Sequence, residues 1–448
     1  MNDPFRIPAL ELEKLQDEKL RRMLQLCAQG HGHYRRRWEE AGIDVREIRG
    51  VRDLAKLPLT AKKELMADPE SFRLRVPELP LHERVMWEVI YTTGSTADPT
   101  PIYNTTHDYQ QYMLQCRRFG EITGIHEGDV IANLFPVTAA PMGAFVRSAT
   151  NAYAIGATIF GALPGAAFGA YDVHRPLDYA VRAVERHRAT VLWGVPSFVR
   201  RVLLRALELD ADFRGVRLCA ISGEASSPAM REDLRRCMRE LKAAGAIVVD
   251  RYGGTEIGAF AQCREEGAWH NPAPETQYHE IVDPETGRVL PDGERGALAV
   301  THLDRRGTVL VRFLVGDVAS IDRRPCPQCG RGGDRIVGPI VRTKDLVKVK
   351  GMLVNPSALL AALEGLGGIT EFQAVVQRMD PSDPLSMDEL VVRLAAPERE
   401  RGRLEREVPE RVADAVRVRP RVEFVDAAQI YEPGRQTKAV RFVDRRSQ

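Results

Sequence analysis

Two groups of residues in this chain have the types and spacing of a chemical site. The run Tyr91-Thr92-Thr93-Gly94-Ser95-Thr96-Ala97-Asp98-Pro99-Thr100 gathers hydroxyls around one glycine. Such a loop offers backbone N–H groups and hydroxyl donors to phosphate oxygens. It lacks the Gly-Lys-Ser/Thr ending of a Walker loop, which argues against a P-loop nucleotidase, and an ordinary turn uses the same residue types. The second group is Cys326-Pro327-Gln328-Cys329, followed by glycine, with Cys263 and His270 upstream. Three thiols and one imidazole in two pairs suit a tetrahedral structural Zn²⁺ with no position left open for substrate. His279 is the rival to His270, and four reduced, non-ligating residues are the plain alternative.

The elements that must position these groups follow an α/β grammar. A polar helical start runs from Ala9 to Ala41. From Val85 to Glu256, short apolar runs (WEVIYTT, VIANLF, ATIFGA, TVLWGV, RLCAIS, AIVVDRYG) alternate with stretches of helical periodicity. That alternation predicts a largely parallel sheet with its ligand site at the carboxyl ends of the strands. The hydroxyl loop is expected between a strand and a helix. From His279 to Ser320 alternating runs and the turns ETG and PDGERG predict antiparallel strands. After Arg342 the order strand, helix, two strands, charged helix, strand and irregular tail suits a small α+β domain.

Bulk properties bound the function. With 448 residues the chain exceeds the usual single domain, so one large and one small unit are expected. Sixty-four basic against 62 acidic side chains leave a formal charge of +2, too balanced to advertise a nucleic-acid or anionic-membrane partner. Seven scattered cysteines argue against a disulfide framework. The first residues have no secretory h-region, and no window of about 18 apolar residues appears, so the reading is cytoplasmic.

The hydroxyl loop takes its meaning from the order of the motifs downstream. Ile221-Ser222-Gly223-Glu224, Tyr252-Gly253-Gly254-Thr255-Glu256, Gly316-Asp317, Arg342-Thr343-Lys344-Asp345 and Lys438 come in sequence. Together they resemble the core motifs of the adenylate-forming superfamily, from about residue 85 to the end. The ending Thr437-Lys438-Ala439-Val440-Arg441-Phe442-Val443-Asp444 is similar to that of the phenylacetate–CoA ligase branch.

The resemblance implies an α/β fold: a large N-terminal adenylating domain (1–341) with mainly parallel sheets and a β-rich subdomain, and a small mobile α+β C-terminal domain (342–448). It implies that Thr92, Thr93, Gly94, Ser95 and Thr96 hold the β- and γ-phosphates of ATP. Ser222, Gly223 and Glu224 lie along the adenine, Tyr252 stacks on it with Gly253 and Gly254 beside it, Thr255 bonds the α-phosphate and Glu256 ligates Mg²⁺. Asp317 and Arg342 hold the ribose. Lys438 supplies the charge that stabilises the adenylation transition state. Lys344 is the hinge, and Lys348 serves the second half-reaction after the small domain turns. The acyl pocket falls at Phe135, Pro136, Ala140, Met142, Gly143 and Trp193, whose small and apolar character favours a flat aromatic acid.

The expected activity is therefore ATP- and Mg²⁺-dependent activation of an aryl or arylacetic acid, then transfer to CoA. The rivals are transfer to a carrier-protein phosphopantetheine or to an amine or hydroxyl, and a catalytically silent nucleotide-binding scaffold. Ala97-Asp98, where the family commonly has Gly-Lys, and Gly338-Pro339-Ile340-Val341 before Arg342 depart from the usual pattern. A homodimer is the assembly expected, with no nucleic-acid or membrane partner.

Overall fold

The computed structural model describes residues 7–91, 100–135, 143–162, 176–224, 226–342, 347–349, 352–354, 356–380, 386–432 and 439–446; at Arg342, Lys348, Met352 and Leu353 it describes backbone alone. The chain opens with α1 (Ala9–Gly30), α2 (Gly32–Glu40), α3 (Lys62–Ala67) and α4 (Leu81–Arg84). Then come β1 (Met86–Tyr91), β2 (Pro101–Thr105), α5 (Thr106–Thr123), β3 (Val130–Asn133), α6 (Ala144–Ile155) and β4 (Thr158–Gly161). The middle holds α7 (Leu177–Arg186), β5 (Val191–Gly194), α8 (Pro196–Glu208), β6 (Leu218–Ser222) and α9 (Pro228–Glu240). Seven strands come next: β7 (Ile247–Gly254), β8 (Gly258–Gln262), β9 (Trp269–His270), β10 (Gln277–Val282), β11 (Gly296–His302), β12 (Phe313–Asp322) and β13 (Arg335–Arg342). The end comprises β14 (Val347–Val349), β15 (Met352–Val354), α10 (Pro356–Glu364), β16 (Glu371–Arg378), β17 (Asp388–Ala395), α11 (Glu398–Val416), β18 (Arg421–Phe424), α12 (Ala427–Ile430) and β19 (Phe442–Asp444). Among the described residues no helix is long and apolar enough to cross a membrane.

Three local readings of the sequence need correction. The helical start from Ala9 to Ala41 is two helices, because His31 leaves the helix and caps the next one, its Nδ1 accepting the Tyr34 N–H at 3.2 Å. The hydroxyl loop joins two antiparallel strands rather than a strand and a helix: Tyr91 of β1 pairs with Pro101 of β2, and the helix starts only at Thr106. There Thr105 and Asp108 bond each other's backbone N–H as a capping box, the signal that separates strand from helix. The tail is not wholly irregular, since Phe442, Val443 and Asp444 form a parallel strand on β16; three residues are too short a run to show periodicity.

The chain divides into two compact units. The first comprises Met1–Ile131, Ala140–Phe160 and Val249–Arg342. Its strands run β10-β11-β12-β13-β9-β8-β7 in space, antiparallel at every junction. Their apolar face meets α1 and α2: Leu20, Met23, Leu24, Tyr34, Trp38 and Phe72 pack with Val300, Val309, Phe313, Ile321 and Ile336. Arg312 is buried within this core because Glu280 and the carbonyls of Leu57 and Gly287 take up its guanidinium.

The second unit comprises Ala132–Ala139, Gly161–Val248 and Thr343–Gln448. In it β5 and β6 pair in parallel, Trp193 opposite Ala220, as the βα alternation predicts. The C-terminal sheet is ordered β18-β17-β16-β19, and α10 and α11 bury Leu359, Leu363, Leu404, Val408 and Val412 with Val376, Val392 and Leu394. Glu371, at the start of β16, is ion-paired with both Arg201 of α8 and Arg441. Arg200 donates to Asp233 at 2.6 Å and to the Thr370 carbonyl at 3.2 Å.

Candidate active site

The hairpin β7–β8 carries the Tyr-Gly-Gly-Thr-Glu motif. Tyr252 pairs with Phe260, Gly253 with Ala259 and Gly254 with Gly258, leaving Thr255, Glu256 and Ile257 as the connection. Gly258 closes it at φ +67, a conformation glycine adopts without strain. A Cβ on Gly253 would lie 2.2 Å from the Gly258 carbonyl oxygen, so a glycine is required there by the hairpin itself. Gly254 has no such constraint, its nearest neighbour being the far end of the Glu256 side chain.

The Tyr252 hydroxyl donates to Asp317 Oδ2 at 2.6 Å. Asp317 reaches this position through a bulge. Between the pairs Ala297↔Val318 and Ala299↔Leu314, β12 has two residues more than β11, and Gly316 takes φ +94 within it. Bulges of this kind re-aim a side chain beside a functional site. On its other edge Asp317 is paired in register with Arg342 of β13. The unusual Gly338-Pro339-Ile340-Val341 is taken up by a second bulge, between Val318↔Val341 and Ser320↔Val337, so Arg342 keeps its place opposite Asp317.

Glu256 is buried, and two residues that carried no sequence signal hold it. Lys62 Nζ lies 2.8 Å from its Oε1. His302 Nε2 bonds its backbone oxygen at 2.9 Å while the His302 Nδ1 accepts the Leu310 N–H at 3.1 Å. That second bond assigns the proton to Nε2. Burial first, and the charge of Arg305 second, push the His302 imidazole down to about 3, so it is a neutral donor. As a buried, hard oxygen donor, the Glu256 carboxylate fits Mg²⁺.

In the second unit Ser222 ends β6 and Gly223 takes φ +88. Glu224 accepts from the Ser197 hydroxyl at 2.9 Å and the Ser197 N–H at 3.3 Å, at the start of α8, where a carboxylate is favoured by the helix dipole. Trp193 and Phe135 are both fully buried, their ring centroids 6.4 Å apart. Gly143 precedes the first residue of α6. Lys348 lies on β14 opposite Leu353. The expected positions Thr92, Thr93, Gly94, Ser95, Thr96, Pro136, Ala140, Met142, Lys344 and Lys438 lie outside the described residues. Described residues frame the hydroxyl loop on both sides. Glu88 of β1 takes bonds from Asn104 and Arg147, and Asp108 accepts the N–H groups of Arg306 and Gly307 at 2.8 and 2.7 Å.

Cys263, His270, Cys326 and Cys329 come together, their ligand atoms all within 4.8 Å of one another. The Cys263 and Cys326 sulfurs are 3.9 Å apart, and Cys329 Sγ is 3.6 Å from His270 Nε2. A tetrahedral ion with Zn–S of about 2.3 Å and Zn–N of about 2.0–2.1 Å requires edges of about 3.8 and about 3.6 Å, so the donor set fits. A disulfide would need about 2.05 Å. Burial holds the His270 imidazole down, to about 4, in its ligating neutral form. Burial, with Cys329 and Cys326 adding repulsion, pushes the Cys263 thiol up to about 12, which a cation among the sulfurs would reverse. His279 is elsewhere, bonded through Nδ1 to Asp334 at 2.7 Å. The cluster clips the β12–β13 connection to β8 and β9, and Trp269, beside His270, has its ring 6.4 Å from that of Tyr252.

A fold of this kind with this ordered set of residues defines an adenylate-forming enzyme. The AMP-binding enzyme family matches residues 37–302, more than half of the chain, and the chain belongs to that family. It is similar to the phenylacetate-coenzyme A ligases of Thermus thermophilus, 26% identical with 83% of this chain and 80% of the relative covered, and of Escherichia coli, 24% identical with 86% and 84% covered. In fold it matches a crystal structure of 2-hydroxyisobutyryl-CoA ligase in the postadenylation state, with TM-score 0.80 and 24% identity over 98% of this chain and 91% of the other. The protein is thus a phenylacetate–CoA ligase-like, AMP-forming acid–thiol ligase.

Proposed function

We propose that this enzyme activates an aromatic carboxylic acid, aryl or arylacetic, as its acyl-adenylate and then passes the acyl group to CoA in the cytoplasm. The observation that carries the reading is the convergence of Tyr252, Asp317 and Arg342: a 2.6 Å hydrogen bond joins the first two and the sheet register joins the last two. A phenol fixed at its hydroxyl holds its flat ring face in place for a base, and the Asp317 carboxylate is an acceptor for the ribose hydroxyls. The phenylacetate ligases among its relatives and the apolar residues from Phe135 to Gly143 support an aromatic acid.

The chain's own groups would act as follows. Thr92, Thr93, Ser95 and Thr96 bind phosphate oxygens, Thr255 donates to the α-phosphate, and Glu256 holds the divalent cation. The cation supplies charge neutralisation at the phosphates. Lys438, on a mobile domain spanning 342–448, places its ammonium where negative charge grows as the acid's carboxylate oxygen attacks the α-phosphorus and pyrophosphate leaves. Rotation about Lys344 then brings Lys348 to the site for thiol attack, which expels AMP. Zn²⁺ on Cys263, His270, Cys326 and Cys329 is structural.

The test is acid-dependent pyrophosphate release across benzoates, arylacetates and aliphatic acids, with and without CoA. An aryl acid is expected to drive release, with a thioester only when CoA is present, and Lys438→Ala is expected to lower the adenylation rate by about 10²-fold or more. Adenylate without thioester would move the acceptor to a carrier protein or another nucleophile. Release with aliphatic acids alone would overturn the aromatic reading, and none with any acid would favour the silent scaffold.

A further inference from the structure

Lys62 stands where its own helix gains nothing from a cation. It is the first residue of α3, and the N-terminal end of a helix carries partial positive charge that works against a lysine. Its place is nevertheless fixed. Two residues earlier Thr60 bridges in parallel to Phe313 at the start of β12. Its N–H donates to the Arg312 carbonyl at 2.9 Å, its carbonyl accepts the Leu314 N–H at 2.9 Å, and its hydroxyl donates to the Val311 carbonyl at 2.8 Å. Glu64 then accepts the Ala61 N–H at 2.5 Å. On the opposite side, His302 at the end of β11 holds the backbone of Glu256. Two anchors on adjoining strands thus bring an ammonium and a carboxylate 194 positions apart to 2.8 Å.

The two partners differ in freedom. The Lys62 side chain is 44% exposed and that of Glu256 only 8%. A long amphipathic side chain can withdraw into solvent while the carboxylate stays where the hairpin puts it. A buried carboxylate without a counter-charge is costly, so whatever replaces the ammonium must itself be a cation. On the reading that Glu256 ligates the divalent ion of ATP, we infer that Lys62 is the resident counter-ion of that carboxylate and is exchanged for the metal when nucleotide enters. Lys62 is then a positioning residue: it neutralises Glu256 in the empty enzyme and sets how readily the carboxylate accepts a metal. Its neighbour Lys63, exposed on the same helix, is the control.

The experiment titrates Mn²⁺ by electron paramagnetic resonance onto the full-length enzyme saturated with a non-hydrolysable ATP analogue. Removing the competing ammonium in Lys62→Met is expected to tighten Mn²⁺ binding about twofold to fivefold, the worth of a half-exposed ion pair. Lys62→Arg is expected to restore wild-type affinity, and Lys63→Met to leave it unchanged. Without metal, Lys62→Met should unfold at a lower temperature than the wild type, and saturating Mn²⁺ with the analogue should close that gap. Glu256→Gln separates the two readings, with a loss of at least about tenfold expected if the carboxylate is the ligand. Unchanged affinity in Glu256→Gln would overturn the metal role of Glu256 and this inference together. A clear loss there, with Lys62→Met equal to or weaker than wild type, would overturn the exchange alone.

Discussion

Tyr252 and Asp317, 65 positions apart, share a hydrogen bond of 2.6 Å, and this bond joins the two motifs expected to hold opposite ends of one nucleoside. A hydrogen bond to a charged group is worth about 1.5–3 kcal/mol when shielded and less at a half-exposed pair. Asp317→Asn is expected to raise the ATP dissociation constant about tenfold and Tyr252→Phe by a smaller factor. Because the residues act as a unit, the double variant should cost less than the product of the two, with coupling of about 1 kcal/mol in a calorimetric double-mutant cycle. Additive effects would mean that the bond does not organise the site.

Gly253 and Gly254 look equivalent in the sequence and differ in the structure. Gly253→Ala forces a methyl against the Gly258 carbonyl, a backbone atom that cannot yield without moving the hairpin. Its expected cost is about 1–3 kcal/mol of stability in urea unfolding, together with weaker nucleotide binding. Gly254→Ala should leave stability within about 0.5 kcal/mol, since only a side-chain end lies near it. Equal destabilisation by both would contradict the hairpin register.

Elemental analysis of the purified protein is expected to find one zinc per chain, bound by Cys263, His270, Cys326 and Cys329. Cys329→Ser and His270→Ala should each lose the metal, and a strong chelator should lower the unfolding temperature by at least about 3 °C. A wild-type protein free of metal that melts at the same temperature with or without chelator would leave these four residues as packing. His279→Ala should retain zinc, because that ring bonds Asp334 instead.

Stability is expected to fall with pH well above the carboxylate range. Burial depresses both His31 and His302 to about 3 in the folded protein, against about 6.5 in an unfolded chain. Between pH 6.5 and about 3 the unfolded chain therefore binds protons that the folded one refuses. Each histidine contributes stability that is present above pH 6.5 and is lost as pH falls, by up to about 1.4 kcal/mol per pH unit. Urea unfolding at pH 7, 6 and 5 should show this slope, and His302→Gln, which cannot take up the proton, should flatten it. An unaltered slope in that variant would assign the acid sensitivity to other groups.

The sequence by itself determined the class of this protein, because its chemistry is written in short ordered motifs and its strands and helices in periodicities that need no partner. Tyr252 to Glu256, Gly316-Asp317 and the Cys/His pairs were legible as residue types at fixed intervals, and the α/β alternation from Val85 to Glu256 was legible as spacing. The antiparallel hairpin around the hydroxyl loop was not, since a five-residue strand such as β2 runs directly into a capping box. Nor was β19, whose three residues acquire strand geometry only on the edge of β16.

Only the tertiary structure decided which residues meet. Gly316 stands in the chain only as part of the Gly316-Asp317 motif, and it is its left-handed conformation in a bulge that aims Asp317 at Tyr252. His270 was the expected zinc ligand and His279 its rival; the structure puts His270 among three cysteines and His279 against Asp334. Lys62 and His302 carried no motif at all, and each holds Glu256 from a distance in sequence that periodicity cannot span. Spacing along a chain reports what is local, whereas ion pairs and shared ligands depend on how strands far apart in sequence are laid side by side, and that is settled when the core packs.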